Sequence, residues 1–371
     1  MNVNYFILKI AFIFLGSLLF SVLINRIFLK FSKNLGIRNI DDKLIRWGTT
    51  SKPAFGGISF FIVFLLGFSF YQVIFPNAKS PIDLKLMGII MASSLGFLVG
   101  LADDAYNTNP TLKSIAQALC GIILISTGTF IDIFDHNWID YILTFIWVVG
   151  LMNSINMLDN MDAVSTVASI SALSCMLLVM IMDTNYSIVL FTIVVGLIGA
   201  LLGFLFFNWN PSKMYMGDTG SQFLGIILAS LSIPLLWNHS LMDEEVVSRQ
   251  FILPAIAFIV PLSDTTTVVV NRLLEKRSPF IGGKDHSTHH LSYLGLSDQS
   301  VALLLAGIGL FSAVVLLMAI SITEWTHLFT ILFSLYVILV FLSLFLVTKY
   351  EKLKKSKNPQ NEQEYPNSKS A

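Results

Sequence analysis

The sequence predicts an all-α, polytopic membrane helix bundle of about eleven transmembrane helices, N-terminus outside and C-terminus cytoplasmic. Three observations predict it. Of 371 residues, 55% are hydrophobic and only 12% charged, about half the charged share of a soluble domain. The apolar residues gather into stretches near the ~20 residues that a helix needs to cross the hydrocarbon core. Lys and Arg fall almost wholly in alternate loops, as the positive-inside rule requires. This composition excludes a soluble enzyme, a disordered chain and a nucleic-acid binder. The 23 basic and 23 acidic residues leave no net charge to steer a polyanion. Cys120 and Cys175 both lie in apolar runs, which excludes a disulfide scaffold.

The stretches run over 4–29, 55–75, 85–102, 112–131, 139–157, 163–182, 186–207, 219–237, 250–271, 301–321 and 325–348. The first is too long for a signal-peptide core and lacks a basic leader and a small-residue cleavage site, so it is expected to stay as a helix. Lys30, Lys33, Arg38, Lys43, Arg46 and Lys52 follow the first stretch, and Lys113 and Lys213 follow the third and seventh. Arg272, Lys276, Arg277 and Lys284 follow the ninth, and a Lys-rich tail follows the last. The other side holds only Lys79, Lys85 and Arg249. The odd-numbered loops are therefore expected in the cytoplasm. Residues 1–350 read as one membrane domain, and 351–371 as a polar cytoplasmic tail expected to be disordered. There is no internal repeat of the kind that marks many transporters.

The unusual polar residues collect in those same odd-numbered loops. Asp103 and Asp104 end the third stretch, where adjacent carboxylates face the negative end of a helix dipole and call for a cation. A turn cap is the plainer account of them. Asn153 and Asn156 share a face if the fifth helix continues that far, and Asp159 and Asp162 have the same i, i+3 spacing. With Ile155, Met157 and Leu158 between them, they suggest a half-buried pocket for a polar ligand. Met214 to Ser221 sets glycines on both sides of Asp218; the next helix N-terminus would face a phosphate and Asp218 could hold a cation. Asp264 lies inside the ninth stretch, where an ionisable group is expensive and commonly functional. Arg272, then Gly282 to Leu291 with His286, His289 and His290, suggests phosphate contact rather than a zinc site. Acids in this number need a divalent cation beside a phosphate, and Mg²⁺ takes one or two carboxylates plus substrate oxygens. The assembly suits phosphoryl transfer onto a lipid acceptor at the membrane surface.

These motifs resemble those of the polyprenyl-phosphate N-acetylhexosamine-1-phosphate transferases. The resemblance runs from about residue 34 to 295. It rests on Phe55-Gly56-Gly57, Gly100 to Asp104, Asn153 to Asp162, Asn208 to Ser221, and Ser278-Pro279-Phe280 to Leu291. The eleven-stretch layout looks like the branch that uses UDP-GlcNAc-type donors; the branch making the first peptidoglycan lipid intermediate has ten spans and a different His loop. The resemblance implies an enzyme of the bacterial cytoplasmic membrane, its active site facing the cytoplasm. It would move a sugar 1-phosphate, GlcNAc-1-phosphate first among the choices, from a UDP-sugar to polyprenyl (undecaprenyl) phosphate and release UMP, so starting a lipid-linked envelope glycan. It implies Mg²⁺, or Mn²⁺ in its place, and a homodimer is plausible on the resemblance alone.

Position by position, the resemblance makes Asp103 the candidate base for the lipid phosphate, with Asp104 beside it supporting the metal or the lipid phosphate. Asp218 becomes the principal metal ligand, with Asp159 near it. Asn153, Asn156, Asp159 and Asp162 would form the nucleotide-binding surface. Arg272, His286, His289 and His290 would meet the donor's diphosphate or sugar. Two positions depart from the family pattern: Ala163 and Asn160 stand where Gly is common. Direct attack by the lipid phosphate is favoured over a covalent Asp intermediate, because the phosphate is already a competent nucleophile. A transporter of an anionic solute is the alternative reading; it would need polar groups along a path through the spans, and Asp264 alone suggests one.

Overall fold

The computed structural model describes residues 3–35, 52–75, 83–134, 136–183, 187–239, 246–279 and 282–357. The basic segment with Arg38, Lys43 and Arg46, together with Lys79, Phe280 and the tail beyond 357, lies outside the described residues. Among the described residues the secondary structure is helical, in thirteen α-helices and one π-helical turn. They are α1 (Val3–Leu35), α2 (Gly56–Ile74), α3 (Leu84–Tyr106), α4 (Pro110–Ser126), α5 (Asn137–Leu158), α6 (Val164–Met182) and α7 (Ile188–Asn208). There follow α8 (Gly217–Ser232), which runs on into the π turn Ile233–Trp237, then α9 (Val247–Ala257), α10 (Ile259–Leu274), α11 (Ser287–Tyr293), α12 (Asp298–Ser321) and α13 (His327–Lys357). The chain is a polytopic helical membrane protein.

All eleven apolar stretches coincide with helices. Eight of those helices are each long and apolar enough to cross a membrane; α2 and α4 contribute shorter apolar helices. The ninth stretch departs from expectation. It is two helices, α9 and α10, that meet at an angle of 87°. Two prolines explain the break. Pro254 lies inside α9 and Pro261 in the first turn of α10. Each lacks the N–H that would bond four residues back, and its ring crowds that carbonyl. Ser154 of α5 donates its hydroxyl to the Pro261 carbonyl at 2.8 Å, and Thr265 donates to Ser154 Oγ at 2.8 Å, which docks the start of α10 on α5. At the other end, α13 continues to Lys357, seven residues past the boundary expected at 350; Lys, Glu and Leu there are good helix formers.

Helix α8 is the centre of the bundle. Its side chains from Thr219 to Ser232 are all buried, packed on α2, α3, α5 and α6. Small residues let the neighbours approach. A Cβ on Gly225 would strike the Met152 backbone, and one on Gly96 would strike Ile226. Phe61 stacks on Phe97 at 3.9 Å and meets Phe223 edge-on at 5.6 Å. Helices α1 and α7 close in the same way: Gly199 and Gly203 lie against the Phe14 and Leu18 carbonyls, the small-residue packing that apolar helices use in lipid. The outer faces of α1 and α13 stay apolar and open, with Leu8, Phe12, Leu19, Leu328 and Ile331 all more than half exposed. That is the expected surface for hydrocarbon contact.

Candidate active site

Three glycine motifs interlock at one end of the bundle. The first N–H groups of α2, on Gly56 and Gly57, donate to the Tyr215 and Met216 carbonyls at 3.2 Å. A Cβ on Gly57 would lie 2.2 Å from the Gly220 nitrogen, and one on Gly100 would lie 2.3 Å from the Asp218 carbonyl oxygen. Gly217 takes φ +73°, a conformation open to glycine at little cost. The start of α8 is thus pressed against the start of α2 and the end of α3. Asp104, at the end of α3, caps it: Asp218 N–H donates to Oδ1 at 3.1 Å, and Thr219 N–H and Oγ1 donate to Oδ2 at 2.8 and 2.7 Å. The positive end of α8 supplies the partner that the end of α3 does not. Asp104 is therefore first of all a cap.

Asp103 has a different partner. Its Oδ1 accepts from Thr108 N–H and Oγ1, at 2.9 and 2.7 Å. Its Oδ2 accepts from Lys113 Nζ at 3.2 Å. Lys113 also donates to Asp218 Oδ1 at 2.7 Å and to Asn156 Oδ1 at 3.4 Å. In the sequence Lys113 stands as a flanking positive charge. The fold makes it the ammonium at the centre of the acids. The turn that returns it is local: Asn107 is left-handed at φ +52°, and Asn109 caps α4 ahead of Pro110.

Helix α5 does continue through Asn153 and Asn156, and the two amides share a face as their spacing required. Asn156 Nδ2 donates to Asp218 Oδ1 at 2.6 Å and to Ser221 Oγ at 2.8 Å. Asn153, one turn earlier, exchanges hydrogen bonds with Gln117, which reaches Gln222 at 3.0 Å. Asn153 therefore belongs to a buried amide ladder beneath the acids. Asp159 caps the end of α5. Part of its surface is open, yet burial and the charges of Asp218, Asp104 and Asp162 push its carboxyl up to about 8.

Asp162 does not join this centre. Ser212 N–H and Asn210 Nδ2 donate to its Oδ2 at 2.9 and 3.0 Å, and Ser212 Oγ donates to Oδ1 at 2.7 Å. Lys52 stands 3.8 Å away. Asp162 holds the turn after α7 against the turn before α6. The next residue, Ala163, has φ +66° and donates its N–H to Asn208 Oδ1 at 3.1 Å. That explains why glycine is common at this position. Asn160 accepts from Thr288 Oγ1 at 2.8 Å, which ties α11 to the Asp159 turn.

The His loop is held by α10. Arg272, expected to face a diphosphate, is 3% exposed and grips its own loop. Nε and Nη2 fork onto Asp285 at 2.9 and 2.7 Å, and Nη1 donates to the Pro279 carbonyl at 2.9 Å. Burial alone would raise the Asp285 carboxyl, but the Arg272 fork and charge hold it at about 2. Asp264, buried in α10, pairs with His286 Nδ1 at 2.7 Å. His289 is 2% exposed, and burial next to His286 lowers its imidazole to about 3. A neutral ring cannot bring charge to a diphosphate. His290 is equally buried, edge-on to Tyr293.

Among the described residues no group of three or more His, Cys, Asp or Glu side chains is arranged to hold a metal by itself. The donor set fits instead a cation that takes one or two carboxylates and completes its shell with water and phosphate oxygens, as Mg²⁺ does. Asp104 and Asp159 feel the charge of Asp218, and the Lys113 ammonium reaches Asp218 and Asp103. Burial first, and then the neighbouring carboxylates, push Asp159 up.

Comparison with known proteins covers both centres. Residues 86–236 match the model of glycosyl transferase family 4, a span that holds every acid of the first centre and stops short of the His loop. Over 352 residues, 91% of each chain, the protein is 28% identical to the probable undecaprenyl-phosphate N-acetylglucosaminyl 1-phosphate transferase of Bacillus subtilis. It is 29% identical over 222 residues to the phospho-N-acetylmuramoyl-pentapeptide-transferase of Streptococcus agalactiae, covering 55% of this chain and 65% of that one. The enzyme of that name from Staphylococcus saprophyticus is 28% identical over 285 residues, 72% and 84% of the two chains. These relatives are transferases, and the polar groups here gather at one end of the bundle rather than along a path through it, so the transporter alternative falls. The chain is thus similar over residues 86–236 to glycosyl transferase family 4, and over most of its length to a transferase of the polyprenyl-phosphate sugar-1-phosphate type.

Proposed function

We propose that this protein transfers GlcNAc-1-phosphate from UDP-GlcNAc to undecaprenyl phosphate at the cytoplasmic face of the bacterial inner membrane, releasing UMP and starting a lipid-linked envelope glycan. The observation that carries the reading is the convergence of the ends of α3 and α5 and the starts of α4 and α8 on four carboxylates and Lys113. The choice of sugar rests on the Bacillus subtilis relative, matched over 91% of both chains. The orientation rests on the eighteen basic residues of the odd-numbered loops and tail against three opposite.

Asp218 and Asp159 would hold Mg²⁺ together with donor phosphate oxygens. When bound, the metal would neutralise charge on the transferring phosphoryl group. The chain's own groups do the rest. Lys113 is positioned to meet a phosphate oxygen, and the start of α8 supplies further positive potential. An oxygen of the lipid phosphate attacks the β-phosphorus of the donor. The bond from that phosphorus to the bridging oxygen breaks, and UMP leaves with the oxygen. Because the attacking oxygen is already anionic, no base is required. Asp103, an acceptor of three hydrogen bonds, suits the orienting of Lys113 better than the removal of a proton.

The test is nucleotide release by the purified protein in detergent, given undecaprenyl phosphate, Mg²⁺ and one UDP-sugar at a time. UMP should appear with UDP-GlcNAc and need both lipid and metal. UMP with a different donor alone would reassign the sugar. UMP without lipid would replace direct attack by a covalent intermediate.

A further inference from the structure

Helix α10 carries a carboxylate for which the transfer chemistry just described has no use. Asp264 is 1% exposed, on a helix whose neighbours are largely apolar. Such a group is costly unless its oxygens are satisfied. Here the partners come from two consecutive residues at the start of α11. Ser287 N–H and Oγ donate to Oδ1 at 2.8 and 2.6 Å, and His286 Nδ1 lies 2.7 Å from Oδ2. Eight residues along α10, Arg272 holds the other side of the same loop through Asp285 and Pro279. The loop is clamped at two points by one helix. It is also joined to the Asp159 turn through Thr288 and Asn160, so the clamped ring sits beside the acid centre.

We infer that Asp264 is a positioning residue for the donor site: it fixes His286 with the proton on Nδ1 and turns Nε2 toward the diphosphate-sugar. This rests on the transferase reading above. An ionised carboxylate only accepts hydrogen bonds, so the nitrogen facing it carries the proton. Nε2 is then the ring atom that remains for a ligand. Buried carboxylates set the tautomer and angle of imidazoles in this way in unrelated enzymes. His289 packs edge-on to His286 at 5.4 Å and limits rotation of the ring. The clamp also accounts for a carboxylate that is 1% exposed on a largely apolar stretch. A hydroxyl or amide would accept from Ser287 as well, but would not hold the imidazole proton on Nδ1.

The test uses the full-length protein in detergent, with UDP as the binding probe. In Asp264→Asn the amide oxygen still accepts from Ser287, but its NH₂ group faces Nδ1 and drives the proton to Nε2. UDP affinity should fall about tenfold or more, the scale of one hydrogen bond to a charged group. KM for the UDP-sugar should rise in proportion, while KM for the polyprenyl phosphate stays within about twofold, a split that a merely structural lesion would not give. His286→Gln should lose the same amount, and the double variant no more. Ser287→Ala, which leaves the imidazole contact in place, should bind UDP within about twofold of wild type. His286→Gln losing UDP affinity while a folded Asp264→Asn keeps it would overturn the inference, and so would both variants keeping it. A second readout does not depend on the folding of Asp264→Asn. In ¹⁵N-histidine-labelled wild-type protein, with six histidines to resolve, the His286 signal should show a protonated Nδ1; a proton on Nε2 alone contradicts the clamp. Wild type that releases no UMP would overturn the function, whereas active wild type with unchanged variants would overturn only the role of Asp264.

Discussion

The two polar centres at this end of the bundle are built on opposite principles. Around Asp218 lie three more half-buried carboxylates, Asp103, Asp104 and Asp159, and the Lys113 ammonium pairs with Asp218 and Asp103. Around Asp264, acids and donors match: three hydrogen bonds for Asp264, a fork for Asp285, and little open surface. The first centre holds more acids than cations, which on the proposed function would suit a metal ion and a phosphate. The second balances its acids with donors from the same loop and helix. The difference is one of charge balance: one ammonium is shared among the acids of the first centre, while each acid of the second has its own donors, and on the proposed function the first is where the reaction would take place.

The largest effect should come from the first centre. Asp218→Asn keeps the shape but removes one charge. UMP release should fall by about 10³-fold, on the scale of losing one preorganised electrostatic contact at a transferring group, with the thermal midpoint nearly unchanged. A variant that unfolds early and turns over normally once folded would place Asp218 among the scaffolding and erase the contrast.

The satisfied centre should respond in stability. Arg272→Lys keeps the charge but cannot fork onto Asp285 while also reaching the Pro279 carbonyl. Loss of those bonds should cost about 2 kcal/mol, read as a lower thermal midpoint in detergent, with KM for the UDP-sugar raised. A variant with wild-type stability would show that the loop is held elsewhere.

The pH response sharpens the comparison further. The Asp159 carboxyl is raised to about 8 in the folded protein, against about 4 when unfolded. The folded state therefore keeps a proton that the unfolded chain gives up. This contribution to stability is full below about pH 4 and is lost as pH rises to about 8. Metal-free protein should melt at lower temperature at pH 8 than at pH 5, and Asp159→Asn should flatten that slope. A slope of the opposite sign, or one unchanged by the substitution, would remove Asp159 from the charged cluster.

The smallest effect is conformational. Ala163 occupies a left-handed conformation that costs an L-residue about 1 kcal/mol. Ala163→Gly should recover roughly that amount, offset in part by glycine's greater freedom when unfolded, and leave UMP release unchanged.

Much of this was legible in the sequence, because membrane insertion leaves a local record. Each apolar stretch became a helix, since hydropathy over some twenty residues decides it. The break at Phe258 was also recorded, in Pro254 and Pro261, but a run of apolar residues hid it. The acids Asp103, Asp104, Asp159 and Asp218, which the structure brings near one another, stand out in the sequence because carboxylates are rare near a membrane. Lys113 was missed for the converse reason: basic residues are common at the cytoplasmic ends of spans, and its partner Asp218 is 105 residues away. Arg272 was misplaced in the other direction. A cation near a His loop suggests phosphate, and only the fold shows that Asp285 already takes its fork. Asp162 looked like a ligand of the pocket because it shares a motif with Asp159, yet its oxygens turn toward Ser212.

The most direct measurement is the fate of the donor's β-phosphate. UDP-GlcNAc labelled with ³²P at the β-position would be incubated with the protein, undecaprenyl phosphate and Mg²⁺, and the lipid separated from the nucleotide. The account predicts label in the lipid, unlabelled UMP in the aqueous phase, and neither product with Asp218→Asn. Label retained in released UDP, with sugar alone on the lipid, would contradict it.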